Sequence, residues 1–177
     1  AGPAGYEAGG IVRAMMPRRS GVDWLLEIVG AAAVVGAAAE IVMRWRALPA
    51  RIPTHFGIDG QANGWGGRDS LPVLLASTVV MFAVLTVAGR YQRLVNIPVK
   101  VDREAPEVRR VIRSLTIVIK AVLSAGFFWI THVTIGIAMR ERTAMGRVFL
   151  PVFLAAVVAP VIYYCVRLRK ARGAAPA

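Results

Sequence analysis

The side chains that could do chemistry in this chain are two histidines and a few ionisable groups set inside long apolar runs. His55 belongs to a polar segment, whereas Glu40 and His132 lie toward the ends of two apolar runs. Two histidines and a carboxylate with an open coordination position form the kind of site in which zinc activates water. One hypothesis is therefore a metal-dependent membrane hydrolase with His55, His132 and Glu40 as metal ligands.

This enzyme hypothesis is the alternative interpretation, because its ligands do not follow a helical spacing such as His-Glu-x-x-His. No serine or cysteine stands in a recognisable nucleophile elbow either. The chain contains a single cysteine, Cys165, which allows no internal disulfide and no cysteine-based metal cluster. We favour a binding or regulatory component rather than an enzyme, and this interpretation requires no cofactor.

Four ionisable residues lie within apolar runs, where a charge is costly: Glu27, Glu40, Lys120 and His132. At 1.5 Å per residue, Glu27 and Glu40 are about 20 Å apart along one helix, and Lys120 and His132 about 18 Å apart along another. Matching depths suggest that Glu27 pairs with Lys120, and Glu40 with His132. At 100° per residue, however, the two members on each helix point about 120° to 140° apart. We therefore expect only one pair to face directly, and separate snorkelling of Glu27 and Lys120 to the headgroups is the alternative.

The elements that must position these groups are four apolar runs. The chain has 177 residues, 56% of them apolar, and a mean hydropathy of +0.57. Crossing a hydrocarbon core of about 30 Å takes roughly 20 helical residues. We predict an all-α membrane protein whose domain, residues 21–166, has four transmembrane helices at about 24–43, 71–89, 115–139 and 148–166. The first run could be a secretory signal, but it lacks a small-residue cleavage site, so we favour a retained anchor.

Basic residues indicate the orientation, because cytoplasmic loops carry the excess of lysine and arginine. The N-terminal segment, the loop between the second and third runs, and the tail carry 14 such residues, against 7 in the other two loops. We expect both termini to lie in the cytoplasm and the first loop to lie on the other side of the membrane. Residues 1–20 should form a flexible basic segment with a natural start at Met15 or Met16, and residues 167–177 a basic tail.

The net charge of +12 could indicate nucleic-acid binding, but the basic residues are divided among the ends of the spans. We therefore expect contact with lipid and no nucleic acid. Small residues at Ala32 and Gly36 suggest that the first helix is central to the bundle, with a homodimer interface as the alternative. Upstream of the third span, Val108, Val111 and Ile112 recur at helical spacing and predict an amphipathic helical extension into the cytoplasm.

The first loop, residues 48–68, is the segment whose composition lipid cannot explain. Its glycines favour sharp turns, but large apolar residues are interspersed among them, so we expect a folded cap on the outer face. His55 could fasten a turn through its ring nitrogens, bind a ligand, or take part in catalysis. The loop supplies the candidate residues for binding a peptide or membrane-protein partner: His55, Phe56, Asp59, Trp65 and Arg68.

The loop also carries a resemblance to a known family. The runs Leu48-Pro49, Ile52-Pro53-Thr54-His55-Phe56, Asp59-Gly60 and Gly64-Trp65-Gly66 resemble the signature of a bacterial membrane domain of unknown function. This domain is found in the N-terminal part of SdpI-type immunity proteins and in short stand-alone membrane proteins. The resemblance implies a multispan plasma-membrane protein with this loop outside. It also implies a role akin to that of relatives that protect a producing cell from its own peptide toxin and hold a repressor at the membrane.

Overall fold

The computed structural model describes residues 19–91 and 105–173, which form four helices and one β-hairpin. Their order is α1 (Gly21–Arg44), β1 (Arg51–Phe56), β2 (Ala62–Gly67), α2 (Ser70–Arg90), α3 (Pro106–Ala138) and α4 (Phe149–Gly173). All four helices are long and apolar enough to cross a membrane, which confirms the predicted multi-pass membrane protein. The predicted start at Met15 or Met16 lies outside the described residues.

Both α1 and α2 begin next to a polar residue, and at α1 this residue caps the helix. Ser20 caps α1 through a reciprocal pair of hydrogen bonds in which its Oγ accepts from the backbone N–H of Asp23 and the Asp23 carboxylate accepts from the backbone N–H of Ser20. The N-cap position of α2 is taken by Asp69. Ser70 is the first helical residue, and its hydroxyl donates to the Gly67 carbonyl at 2.9 Å.

The central helix of the bundle is α3, because α1, α2 and α4 all pack against it, and it is the most buried of the four. The prediction that α1 is central is therefore wrong. The small residues of α1 instead let it approach α3 closely. A side chain at Gly30 would meet the Ala121 backbone, and one at Gly36 would meet the Phe128 ring at 3.1 Å, whereas Ala32 is exposed.

The N-terminal extension of α3 is helical from Pro106, whose missing N–H has no partner to lose in the first turn. Its apolar face does not project alone, as the sequence suggested. Val108, Val111 and Ile112 are buried in a cluster with Leu168, near the C-terminal end of α4. Two helices that extend past the apolar bundle therefore cover each other's apolar side chains at this end.

The helices α1 and α3 run parallel, because their side-chain contacts ascend in the same order along both. Asp23 contacts Ser114, Glu27 contacts Lys120, and Glu40 contacts His132. The end of the bundle that carries the β-hairpin is called the hairpin end below, and the end that carries Ser20 is called the Ser20 end. The Glu40–His132 contact lies toward the hairpin end.

Candidate functional site

The loop between α1 and α2 folds as an antiparallel β-hairpin, which the all-α prediction did not include. Arg51 pairs with Gly67 and Phe56 with Ala62, and the register shifts twice between these pairs. Glycine is required by close cross-strand approach at two positions. A Cβ at Gly64 would lie 2.8 Å from the Cβ of His55, and one at Gly66 would lie 2.8 Å from a methyl group of Thr54.

The base of the hairpin is fixed to the bundle by buried apolar side chains. Ile52 is fully buried in a cluster with Ile41 of α1, Leu71 of α2 and Ile135 of α3, and Leu48 completes it. Because this cluster joins three helices to β1, it holds the hairpin in a defined position. Burial of an isoleucine side chain stabilises such an arrangement by about 1.5 to 3 kcal/mol.

The tip of the hairpin contacts the loop between α3 and α4. Gly60 adopts a positive φ of 77°, which glycine tolerates, and a Cβ there would lie 2.8 Å from the Gly146 backbone. The Gly60 carbonyl accepts a hydrogen bond of 2.8 Å from the Met145 N–H. Within the turn, the Asp59 carboxylate accepts from the Gln61 N–H at 3.0 Å. The hairpin is thus held at both its base and its tip.

Besides Asp59, two of the five candidate binding residues of the loop have structural contacts through their side chains. His55 Nδ1 lies 2.5 Å from the Asn63 side-chain oxygen, which links the two strands. The Arg68 guanidinium lies 5.0 Å from the centre of the Trp45 ring and donates to the Leu48 carbonyl at 3.4 Å. Both contacts stabilise the hairpin and its base, although His55 itself remains exposed.

The other candidates of the loop differ in what they offer to a partner. Phe56 is half-buried, and the Asp59 carboxylate is used in the turn although the residue is exposed. Trp65 on β2 is 48% exposed, and Ile58 in the turn of the hairpin is 84% exposed. These two large apolar side chains are therefore exposed on a hairpin that is held at its base and its tip.

Glu27 and Lys120 form an ion pair between α1 and α3 with an Nζ–Oε2 distance of 2.6 Å. Lys120 is 1% exposed, and its ammonium group also donates to the Thr86 hydroxyl of α2 at 3.0 Å and lies 4.6 Å from the centre of the Phe82 ring. Lys120 is thus bonded to two helices, and separate snorkelling of Glu27 and Lys120 does not occur.

Glu40 and His132 also pair, with 2.9 Å between Oε1 and Nδ1, which contradicts the expectation that only one pair could form. That expectation assumed that a pair must lie on the line joining the two helix axes. If Glu27 and Lys120 lie about 70° to one side of this line, rotations of about 140° and 120° carry Glu40 and His132 to its other side. Long side chains then meet on both flanks of the interface, and small residues such as Gly30 occupy its middle.

The second nitrogen of His132 contacts a residue that the sequence did not single out. Arg142, in the loop after α3, places its Nη2 3.3 Å from His132 Nε2 and its guanidinium 5.4 Å from the centre of the Trp129 ring. Just beside it, the carboxylate of Glu141 accepts from Arg44 at 2.5 Å. Arginines in this loop were counted only for orientation, and nothing in their spacing indicated a contact with His132.

The proposed metal ligands are not brought together. Within residues 19–91 and 105–173, no three histidine, cysteine, aspartate or glutamate side chains form a group that could hold a metal ion. Glu40 and His132 are neighbours, but His55 lies on β1 and bonds to Asn63. The alternative site of His55, His132 and Glu40 therefore does not exist as an assembled metal centre, because the third ligand belongs to the hairpin.

The fold defines a multi-pass membrane protein with a hairpin between its first two spans. Residues 31–82, which include most of α1, the hairpin and part of α2, match the domain of unknown function DUF1648. The chain is also similar to an uncharacterized protein of the archaeon Archaeoglobus fulgidus, with 26% identity over 102 residues, or 49% of this chain and 55% of that protein. The matched region thus spans about half the length of that relative. No solved structure matches the chain.

Proposed function

We propose that this chain is a bacterial plasma-membrane protein whose β-hairpin recognises a peptide outside the cell. The orientation rests on the charge distribution, with 14 lysines and arginines on the side of the termini and 7 on the side of the hairpin. The recognition role rests on one observation above all. A hairpin that is anchored at its base and tip exposes Ile58 and Trp65, two large apolar side chains.

The outer edge of β2 favours an extended peptide as the partner. The sheet contains only β1 and β2 within the described residues, and β1 carries the main contacts to α3. Apart from the bonds to β1 and the bond that the Gly67 carbonyl accepts from the Ser70 hydroxyl, the backbone of residues 62–67 makes no hydrogen bonds to the backbone of other described residues. An added strand can pair with such an edge, while exposed side chains beside it provide selectivity. Because Gly64, Gly66 and Gly67 have no side chains, they do not obstruct the approach of a peptide to this edge.

The resemblance to SdpI-type immunity proteins supports the same class of partner, because relatives of that kind protect a cell against its own peptide toxin. Under this proposal, the hairpin would bind an extended peptide at the extracellular surface of the plasma membrane. No covalent step is involved. Trp65 would be the main apolar contact and Ile58 a second one. Partly exposed tryptophans are often the residues on which binding affinity depends most.

The test is selection of displayed random peptides on the full chain in lipid nanodiscs, followed by affinity measurement with purified peptides. Trp65→Ala should weaken binding of a selected peptide by roughly 30-fold, or about 2 kcal/mol. Trp24→Ala is the matched control, because Trp24 is 54% exposed at the Ser20 end, and it should leave the affinity unchanged.

The binding mode is tested on the peptide itself. Methylation of alternate backbone nitrogens removes the donors that face β2 and should abolish binding, whereas methylation in the other register should be tolerated. Equal affinities for the wild-type chain and Trp65→Ala would refute the assignment of Trp65. Equal tolerance of both methylation registers would refute pairing with the β2 edge.

A further inference from the structure

Polar side chains join α1, α3 and α4 near the Ser20 end of the bundle. The Ser114 hydroxyl on α3 donates to the Asp23 carboxylate on α1 at 3.4 Å, and the side chain of Tyr164 on α4 hydrogen-bonds to the same hydroxyl. The helix α4 runs antiparallel to α3, because Leu168 near its C-terminus packs against the N-terminal extension of α3. These contacts therefore define one common level in the three helices.

About one helical turn beyond this level, each of the three segments carries an exposed arginine. Arg19 lies just before α1, Arg110 lies on α3, and Arg167 lies on α4. Each is three or four residues from the member of the polar contact on its own segment, and in all three the step leads toward the Ser20 end. Four helical residues rise about 6 Å. The three guanidinium groups therefore share one level, which is called the arginine tier below.

Two members of the arginine tier lie over exposed aromatic rings. The guanidinium carbon of Arg19 is 4.6 Å from the centre of the Trp24 ring, and that of Arg167 is 5.9 Å from the centre of the Tyr163 ring. Trp24 is 54% exposed and Tyr163 is 56% exposed. Tryptophan and tyrosine at the ends of membrane-spanning helices lie at the level of the lipid headgroups. The rings therefore indicate that the arginine tier lies at the depth of lipid phosphate groups.

The carboxylates of the described residues do not neutralise the arginine tier. None of its three arginines forms an ion pair with another described residue. Asp23 is 9% exposed and already accepts from the cap of α1 and from Ser114. The other described carboxylate near this end, Glu107, is exposed on α3. Arg113 adds a positive charge that repels Arg19, so an anion from outside the chain would be stabilised here.

We propose that the arginine tier binds the phosphate group of an anionic phospholipid in the leaflet at the Ser20 end. A phosphate group accepts several hydrogen bonds, and the planar guanidinium donates N–H groups in pairs that match its oxygens. The acyl chains lie against the apolar surface next to the rings, where Leu25 on α1 and Ile162 on α4 are each 59% exposed. A water-soluble anion gains nothing from this surface, which favours a lipid. The site does not depend on peptide recognition by the hairpin at the opposite end.

The test is native mass spectrometry of the full chain in detergent, titrated with dioleoyl phosphatidylglycerol or dioleoyl phosphatidylcholine. The two lipids share their acyl chains and their phosphate group but differ in net charge. The first phosphatidylglycerol should bind at least about 10-fold more tightly than phosphatidylcholine, since each basic residue near the headgroups favours an anionic lipid about fivefold. This comparison uses the unmodified chain and therefore does not depend on the folding of any variant.

Variants assign the preference to the arginine tier. Arg110→Gln should weaken binding of phosphatidylglycerol by about fivefold. Trp24→Leu keeps an apolar side chain but removes the ring beneath Arg19, and it should weaken binding by about two- to fivefold. The triple variant Arg19→Gln, Arg110→Gln and Arg167→Gln should bind the two lipids equally.

A second triple variant is the matched control for charge. It replaces three exposed arginines at the hairpin end by glutamine and should retain the preference for phosphatidylglycerol: Arg46, Arg140 and Arg147. An equal loss of the preference in this control would show that overall charge, and not the arginine tier, attracts the lipid. Equal binding of the two lipids by the unmodified chain would also overturn the site, as would a preference that survives in the triple variant of the arginine tier.

Competition distinguishes a lipid from water-soluble anions. Glycerol phosphate presents a phosphate group without acyl chains, and hexaglutamate represents an acidic segment of a protein. At the same concentration as the bound phosphatidylglycerol, neither should displace it, because neither gains the apolar contacts beside Leu25 and Ile162. Displacement by glycerol phosphate would assign the arginine tier to a soluble phosphate compound, and displacement by hexaglutamate would assign it to an acidic protein partner. Either result would overturn the lipid site.

Discussion

The ion pair of Glu27 and Lys120 makes a quantitative prediction about stability in the membrane. Lys120 is 1% exposed and bonds to Glu27, Thr86 and the face of Phe82. Removing one partner of a buried pair typically costs 3 to 5 kcal/mol, because the other charge stays buried without compensation. For Glu27→Gln we expect a loss of about 2 to 3 kcal/mol, below that range, because Thr86 and Phe82 continue to stabilise the ammonium group.

Lys120→Met should cost about 1 to 2 kcal/mol, because the Glu27 side chain is 19% exposed and can be solvated more easily. The double variant should cost less than the sum of the two single variants by about 1 to 3 kcal/mol, since it leaves no unpaired charge. The measurement is equilibrium unfolding in mixed micelles with increasing dodecyl sulfate. If the losses in the free energy of unfolding of the two single variants simply added up in the double variant, the coupling of Glu27 and Lys120 would be refuted.

The surface pair Arg44–Glu141 provides a matched control for this cycle. Its atoms are 2.5 Å apart, as close as those of the buried pair, but its side chains are 36% and 48% exposed. Exposed pairs contribute about 0 to 1 kcal/mol, because water screens them. The coupling between Arg44→Gln and Glu141→Gln should therefore be smaller than that between Glu27 and Lys120. Equal coupling energies for the two pairs would refute the argument that burial strengthens the Glu27–Lys120 pair.

Three further predictions concern packing and backbone conformation, and the same unfolding assay measures them. Ile52→Ala should destabilise the chain by about 2 to 5 kcal/mol, because Ile52 is fully buried; a cost below 1 kcal/mol would show that the hairpin base is not anchored there. Gly126→Ala should cost about 1 to 3 kcal/mol, because its Cβ would lie 2.2 Å from the Phe153 ring. Gly89→Ala, with its nearest contact at 3.5 Å, is the control and should not destabilise, so equal losses would contradict the argument. Arg140→Gly should stabilise by about 1 kcal/mol, because Arg140 has a φ of 62° at the end of α3; an unchanged or lower stability would refute the assigned strain.

The sequence predicted the helices well because a single physical quantity, the length of an apolar run, determines whether a helix can span lipid. It also predicted the partners of Glu27 and Glu40 from their depth. The expectation that only one of the two pairs would form was wrong. It assumed that two paired residues must both lie on the line that joins the helix axes, whereas long side chains also meet on either side of this line. It also assigned the central position to α1 from its small residues, although these residues serve the approach of α1 to α3.

The site was harder to predict than the fold because its contacts join segments that are distant in sequence. His55 was singled out, but its contact with Asn63 depends on the register of a β-hairpin. The sequence did not predict this hairpin, because its many glycines indicated turns rather than strands. Arg142 lies 10 residues beyond His132, and their contact exists only because the chain reverses at the end of α3. Periodicity cannot reveal such a reversal, which here uses a positive φ at an arginine rather than the glycine that normally indicates it.

The contacts of α3 explain how one helix can position both the hairpin and the polar groups. Ile135 of α3 belongs to the cluster that anchors Ile52, and one turn earlier His132 bonds to Glu40 and Arg142. The base of the hairpin therefore depends on apolar burial against three helices, whereas its tip is held by a backbone hydrogen bond between Met145 and Gly60. Burial of the base against three helices keeps Trp65 and the β2 edge in place on the bundle.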